Sequence, residues 1–203
     1  MLVLQAVLVA LLLSAVVTAL LDVARGQRPV PQGVSLSILA LLLVACVLPA
    51  LSRSPMVWWQ MLPSVSVASG VLAAWWWQHR LGLTGAIPRP QWLFCCGILV
   101  LLALVLYVAD RVFWTVDIYG AGYGDFRFSG AILIVGLAAW VLKMYWGCIL
   151  LALAQGAVGV GVMSSSNAWD YLVDPWVLLL AVLAVVVILA GGGKAPPPAD
   201  MEV

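Results

Sequence analysis

The chain has 203 residues, 66% of them hydrophobic and 8% charged, with a mean hydropathy of +1.17; soluble domains are roughly 45–50% apolar and about 25% charged. This composition excludes a soluble globule and an intrinsically disordered chain. Nine Lys and Arg against eight Asp and Glu leave a formal charge of +1, so there is no basic surface of the kind nucleic acid requires, and nucleic acid is excluded as a partner.

At about 20 apolar residues per bilayer crossing, the apolar runs at 2–21, 34–51, 56–77, 91–109, 129–142, 144–163 and 173–191 predict an all-α, polytopic transmembrane helix bundle of about six to seven segments, because only helices satisfy their own backbone in lipid. The first run has neither a charged n-region nor a small-residue cleavage site and is read as a retained helix, not a signal peptide. Breaks fall at 25–33, 52–55, 82–90, 120–124 and 164–170, where Gly, Pro and Ser gather. Residues 1–190 are expected to form a single integral-membrane domain, and the Gly/Pro-rich stretch 191–203 a disordered tail.

The positive-inside rule places Arg25 and Arg28 in the cytoplasm, with His79, Arg80 and Arg89 on the same side if 34–51 and 56–77 each cross once. A further crossing at 91–109 would then carry the stretch after it to the other side. The run 56–77, split by Pro63 and Gly70, is the segment expected to be re-entrant or interfacial. Eleven tryptophans, most of them near segment ends, read as an aromatic belt at headgroup level.

The chemical inventory is short. Cys46, Cys95, Cys96 and Cys148 lie in apolar runs without a CxxC pair, which suits reduced, buried thiols. A lone histidine, His79, cannot complete a zinc site, so no metal or cofactor is expected. Beside Arg80 it reads as an interfacial anchor. Among the carboxylates, Asp22 ends the first helix before a basic loop, where pairing with Arg25 or Arg28 is the plain reading and a functional charge at membrane depth the sharper one. Asp125 closes the run Gly120-Ala121-Gly122-Tyr123-Gly124 just before an apolar helix. Helix capping accounts for that aspartate but not for the glycines.

The hexapeptide Gly122-Tyr123-Gly124-Asp125-Phe126-Arg127 resembles the GxGD motif of the type IV prepilin peptidases, intramembrane aspartic peptidases, with Arg127 where lysine is usual. Asp22, followed by Arg25, Arg28 and Val30-Pro31-Gln32, is similar to that family's first motif, and Asp174-Pro175-Trp176 to the opening of its last helix. The resemblance implies a short form without the cysteine-rich methylating domain, in a bacterial inner membrane. It would remove the leader of a type IV prepilin or pseudopilin at the cytoplasmic face, with membrane lipid as its other partner. Asp22 and Asp125 would be the catalytic dyad, sharing one proton as two close carboxylates must, and no cofactor would be needed. Gly122, Tyr123, Gly124, Arg127 and Pro175 would be motif residues at the substrate site, the glycines admitting an extended substrate backbone. Two alternatives stay open. Gly122-Tyr123-Gly124-Asp125 also matches the core of a potassium selectivity filter, and the glycines would equally serve helix packing in a non-catalytic scaffold.

Overall fold

The computed structural model describes residues 2–25, 28–52, 64–85, 87–109, 112 and 117–190. Expectations that fall on the tail 191–203, on Asp110, or on Trp58, Trp59 and Trp114 lie outside the described residues. Every element among the described residues is helical. The long helices are α1 (Leu2–Ala24), α2 (Gln32–Leu51), α3 (Val67–Arg80), α4 (Arg89–Leu104, continued by a π turn, Val105–Ala109), α5 (Phe126–Val141), α6 (Tyr145–Gly159) and α8 (Pro175–Ala190). A single-turn helix, α7 (Trp169–Leu172), precedes α8, and a 3₁₀ turn, Gly120–Gly122, precedes α5.

Among the described residues three helices are long and apolar enough to cross a membrane: Leu2–Ala24, Gln32–Leu51 and the combined Arg89–Val108. Phe126–Val141 and Tyr145–Gly159 are shorter apolar helices. Within the described part of the run expected at 56–77, a helix starts at Val67, where Ser66 caps it by accepting from the Ser69 N–H at 3.1 Å, and it continues to Arg80.

Small side chains let these helices approach closely, as association in lipid requires. Ala6, Ala10, Cys46, Ala50 and Ala73 join α1, α2 and α3. Ala68, Cys95, Leu99, Leu150 and Val177 join α3, α4, α6 and α8. Ala103, Ile132, Ala154 and Trp169 close the α4, α5, α6 and α7 side. None of the four cysteines is in a disulfide, and three are buried. Two tryptophans are core residues and not a belt: Trp77 and Trp169 are each 3% exposed, and the Trp77 indole N–H donates to Ser14 Oγ at 3.0 Å.

Side-chain bonds fix which helix ends lie together. Gln5 on α1 reaches the Val65 carbonyl just before α3, and Asp22 near the end of α1 meets Arg80 at the end of α3, so α1 and α3 run parallel. Gln91 at the start of α4 accepts from the Trp146 N–H at the start of α6. One end of the bundle therefore carries residues 22–25, 28–35, 79–85, 87–92 and 141–146. The other carries 64–66, 117–125 and 163–174. Charge follows the same division: among the described residues Arg25, Arg28, Arg80, Arg89 and Lys143 share the first end with the single carboxylate Asp22, whereas Asp117, Asp125, Asp170 and Asp174 share the second with Arg127.

Candidate functional site

Asp22 sits in the last turn of α1 and is held from two places, α3 and the connection that follows α1. Arg80 donates from Nη1 to Asp22 Oδ2 at 2.6 Å and from Nη2 to Oδ1 at 3.1 Å, a two-point geometry that only guanidinium provides. The Val30 N–H donates to Oδ1 at 2.7 Å. Arg80 further donates from Nη2 to the Val30 carbonyl at 2.9 Å and from Nε to Ser35 Oγ at 3.1 Å, and its own carbonyl accepts from Gln32 at 3.3 Å. The side chains are 12% (Arg80) and 22% (Asp22) exposed. The ion partner of Asp22 is thus Arg80, 58 residues away, and not the nearby Arg25 or Arg28; Arg80 is a tertiary clasp.

At the opposite end, the glycine run is shaped by neighbours inside the fold. Asp117 accepts from the Gly120 N–H at 2.6 Å, so close that a Cβ on Gly120 would stand 2.1 Å from its Oδ2. Asn167 donates to the Tyr119 carbonyl at 3.0 Å, and the Ala168 N–H donates to the Gly122 carbonyl at 2.9 Å. Trp169 Nε1 donates to the Ile118 carbonyl at 2.8 Å. A Cβ on Gly122 would lie 1.8 Å from Asn167 Oδ1. The space that sequence reasoning reserved for a substrate backbone beside Gly122 is therefore taken by Asn167. Gly124 has φ +79°, a conformation that glycine adopts without a Cβ penalty. The carbonyls of Tyr119, Gly120 and Gly122 all accept bonds from within the chain, whereas a potassium filter aims its carbonyls at the ion.

Asp125 follows as the N-cap of α5, accepting from the Arg127 N–H at 2.8 Å. Tyr123 is exposed and stands edge-on to Tyr119, with ring centroids 5.8 Å apart. The Tyr119 hydroxyl donates to Asp170 Oδ1 at 3.1 Å, and Ser165 Oγ donates to Oδ2 at 2.5 Å. Burial, the hydrogen bond with Tyr123 and the adjacent Asp170 carboxylate together push the Tyr119 phenol above its usual range. Pro175 is the first residue of α8, where its missing N–H costs nothing. Asp174 before it is 3% exposed and accepts from the Ser66 N–H, from Ser69 Oγ at 2.7 Å and from the Val177 N–H at 2.5 Å. It caps α8 and holds Ser66 and Ser69 at the start of α3.

Asp22 and Asp125 belong to opposite ends. Between them α2, α3 and α4 each run the length of the bundle, an odd number of passages. Asp22 is bonded to Arg80 at the last residue of α3, while the segment that docks the glycine loop leads to Asp174, bonded to Ser66 just before α3 begins. Fourteen helical residues separate those two ties, about 21 Å at a rise of about 1.5 Å per residue. A shared proton requires the carboxyls to be within hydrogen-bond reach directly or through one water, so the expected dyad is not assembled in this structure.

What does meet at the Asp22 end is a pair of adjoining cavities. One, of about 440 Å³, lies among α1, α3, α4 and α8 and is walled by Ala15, Ala19, Trp75, Trp92 and Leu180, with Trp76 and His79 at its rim. The second, of about 450 Å³, is lined by residues 29–32 and by Arg80, and again by Trp76 and His79. Arg80 Cζ lies 5.1 Å from the Trp76 ring centroid, and Trp77 meets Trp76 edge-on at 5.2 Å, which fixes the shared wall. Sequence reasoning missed this site and the roles of Arg80, Asn167 and Asp170; the only signal was that Trp, His and Arg crowd together at 75–80.

Among the described residues no three His, Cys, Asp or Glu side chains gather where they could hold a metal ion. No protein-family model, curated protein or solved structure matches the chain.

Proposed function

We propose that the chain is a multi-pass membrane protein that binds an amphiphilic molecule at its basic end. The seven long helices are then six to seven crossings, and the Arg-rich end faces the cytoplasm. One observation carries the reading: Trp76 and His79 line both the apolar and the polar cavity. A ligand lying across them would place hydrocarbon against Ala15, Ala19 and Trp92, and its polar part against residues 29–32. Volumes of 300–1,000 Å³ with an apolar lining and few polar groups are usual for small-ligand sites. The test is energy transfer from the lining tryptophans to a dansylated fatty acid added to the purified protein. Saturable transfer that Ala19→Phe removes is expected; unsaturable partition alike in both proteins would overturn the reading.

A second reading, the aspartic endopeptidase, is favoured by the motif residues and by Asp125, which stands partly exposed at a helix N-terminus and spends only Oδ1 on its cap. Co-expression with a prepilin tests it. Leader removal abolished by Asp22→Asn and by Asp125→Asn alike would require the two ends of the bundle to come together and would restore the dyad.

A further inference from the structure

We infer that the occupant of the paired cavities is an anionic phospholipid of the surrounding bilayer, its acyl chain in the apolar cavity and its phosphate held by Arg28 and His79. This rests on the amphiphile reading above and adds the identity of the head.

The only described carboxylate at this end is Asp22, and both its oxygens are engaged by Arg80. An ammonium head, as in a choline lipid, would need an acidic partner or an aromatic face. The carboxylate is spent, and the Trp76 face in the shared wall is already covered by the Arg80 guanidinium. A cationic head would thus meet Arg80 over Trp76 and no free carboxylate among the described residues.

A phosphate meets the opposite situation. Arg80 itself is a poor reader, because its Nε, Nη1 and Nη2 already donate to Ser35, Asp22 and the Val30 carbonyl. Its role is to hold residues 30–35 and Trp76 in place. Arg28 is exposed and directly precedes Pro29 in the wall of the polar cavity. His79 is exposed and lines both cavities. His79 thus stands where the two linings join and Arg28 is one residue from the polar cavity's wall, so a lipid with its chain in the groove would bring its phosphate to this part of the molecule. Arg25, exposed at the end of α1, adds to the same field, and each cation near a membrane surface favours an anionic head by about fivefold.

The test is native mass spectrometry of the full chain released from mixed micelles containing equal phosphatidylglycerol and phosphatidylcholine. One retained phosphatidylglycerol, at collision energies that strip phosphatidylcholine, is expected. Retention should fall about fivefold or more in Arg28→Ala/His79→Ala, whose thermal midpoint is checked against the parent. Equal retention of both lipids, abolished by Ala19→Phe, would overturn the inference while leaving an amphiphile site. Retention of neither lipid beyond that of Ala19→Phe would overturn both. The comparison of the two lipids on the unaltered protein needs no variant to fold.

Discussion

Arg80 grips both carboxylate oxygens of Asp22, at 2.6 and 3.1 Å, while its Nε and one Nη reach on to Ser35 and the Val30 carbonyl. One guanidinium thereby ties the end of α1, the connection that follows it, the start of α2 and the end of α3. Such a clasp is worth more than a surface pair, which contributes about 1 kcal/mol or less, and less than a fully buried pair, whose breaking costs about 3–5 kcal/mol.

Removing the cation should therefore be costly. Arg80→Ala is expected to destabilise the solubilised protein by about 2 kcal/mol, leaving Asp22 uncompensated. Asp22→Asn, which keeps an acceptor for the Val30 N–H, should cost less. Thermal unfolding followed by tryptophan fluorescence measures both, and an unchanged midpoint in Arg80→Ala would contradict the clasp.

The glycines should separate by their surroundings. Gly122→Ala drives a methyl into Asn167 and Trp169 and should cost on the order of 4 kcal/mol or prevent accumulation. Gly124→Ala, strained by its positive φ, should cost about 1–2 kcal/mol. Gly130→Ala and Gly136→Ala, which meet nothing within 4 Å, should be neutral or slightly stabilising, since alanine suits a helix better. A tolerated Gly122→Ala would show that Asn167 does not occupy that space.

Asp174→Ala should exceed any other single carboxylate substitution in its effect on stability. It uncaps α8, at about 1 kcal/mol, and strands the buried Ser66 and Ser69 donors at about 1–3 kcal/mol each. Asp170→Ala, which releases Tyr119 and Ser165 in a more open setting, should cost less. The ranking is read from thermal midpoints of the two variants.

Cysteines at Arg28 and Tyr123, both exposed, in a variant lacking the native four, should react with an impermeant maleimide from opposite faces of the membrane. Labelling from one face would mean an even number of passages between them, and the opposite-ends arrangement would fall.

Hydrophobic runs made much of the helical path readable, because crossing length and backbone satisfaction leave little choice: the runs at 2–21, 34–51 and 129–142 become Leu2–Ala24, Gln32–Leu51 and Phe126–Val141. The site was far less legible. Asp22 had two arginines within six residues, yet it pairs with one 58 residues on; proximity in sequence does not tell which helix ends are neighbours. The glycines looked like an opening because the residue that fills the space, Asn167, lies 45 positions after Gly122. Motif spacing likewise carries no information on the parity of intervening helices, which decides whether two aspartates can meet.

Asp174 makes the last described helix a requirement for finishing the third. The Ser69 hydroxyl and the Ser66 N–H that open α3 find their acceptor more than a hundred residues downstream. During synthesis those donors stay unmet until Asp174 itself has been made. Contacts between such distant parts of a chain form late. Nascent chains cut short before residue 174 should consequently be the form on which membrane quality-control proteases act, and completion of α8 the step that ends that exposure.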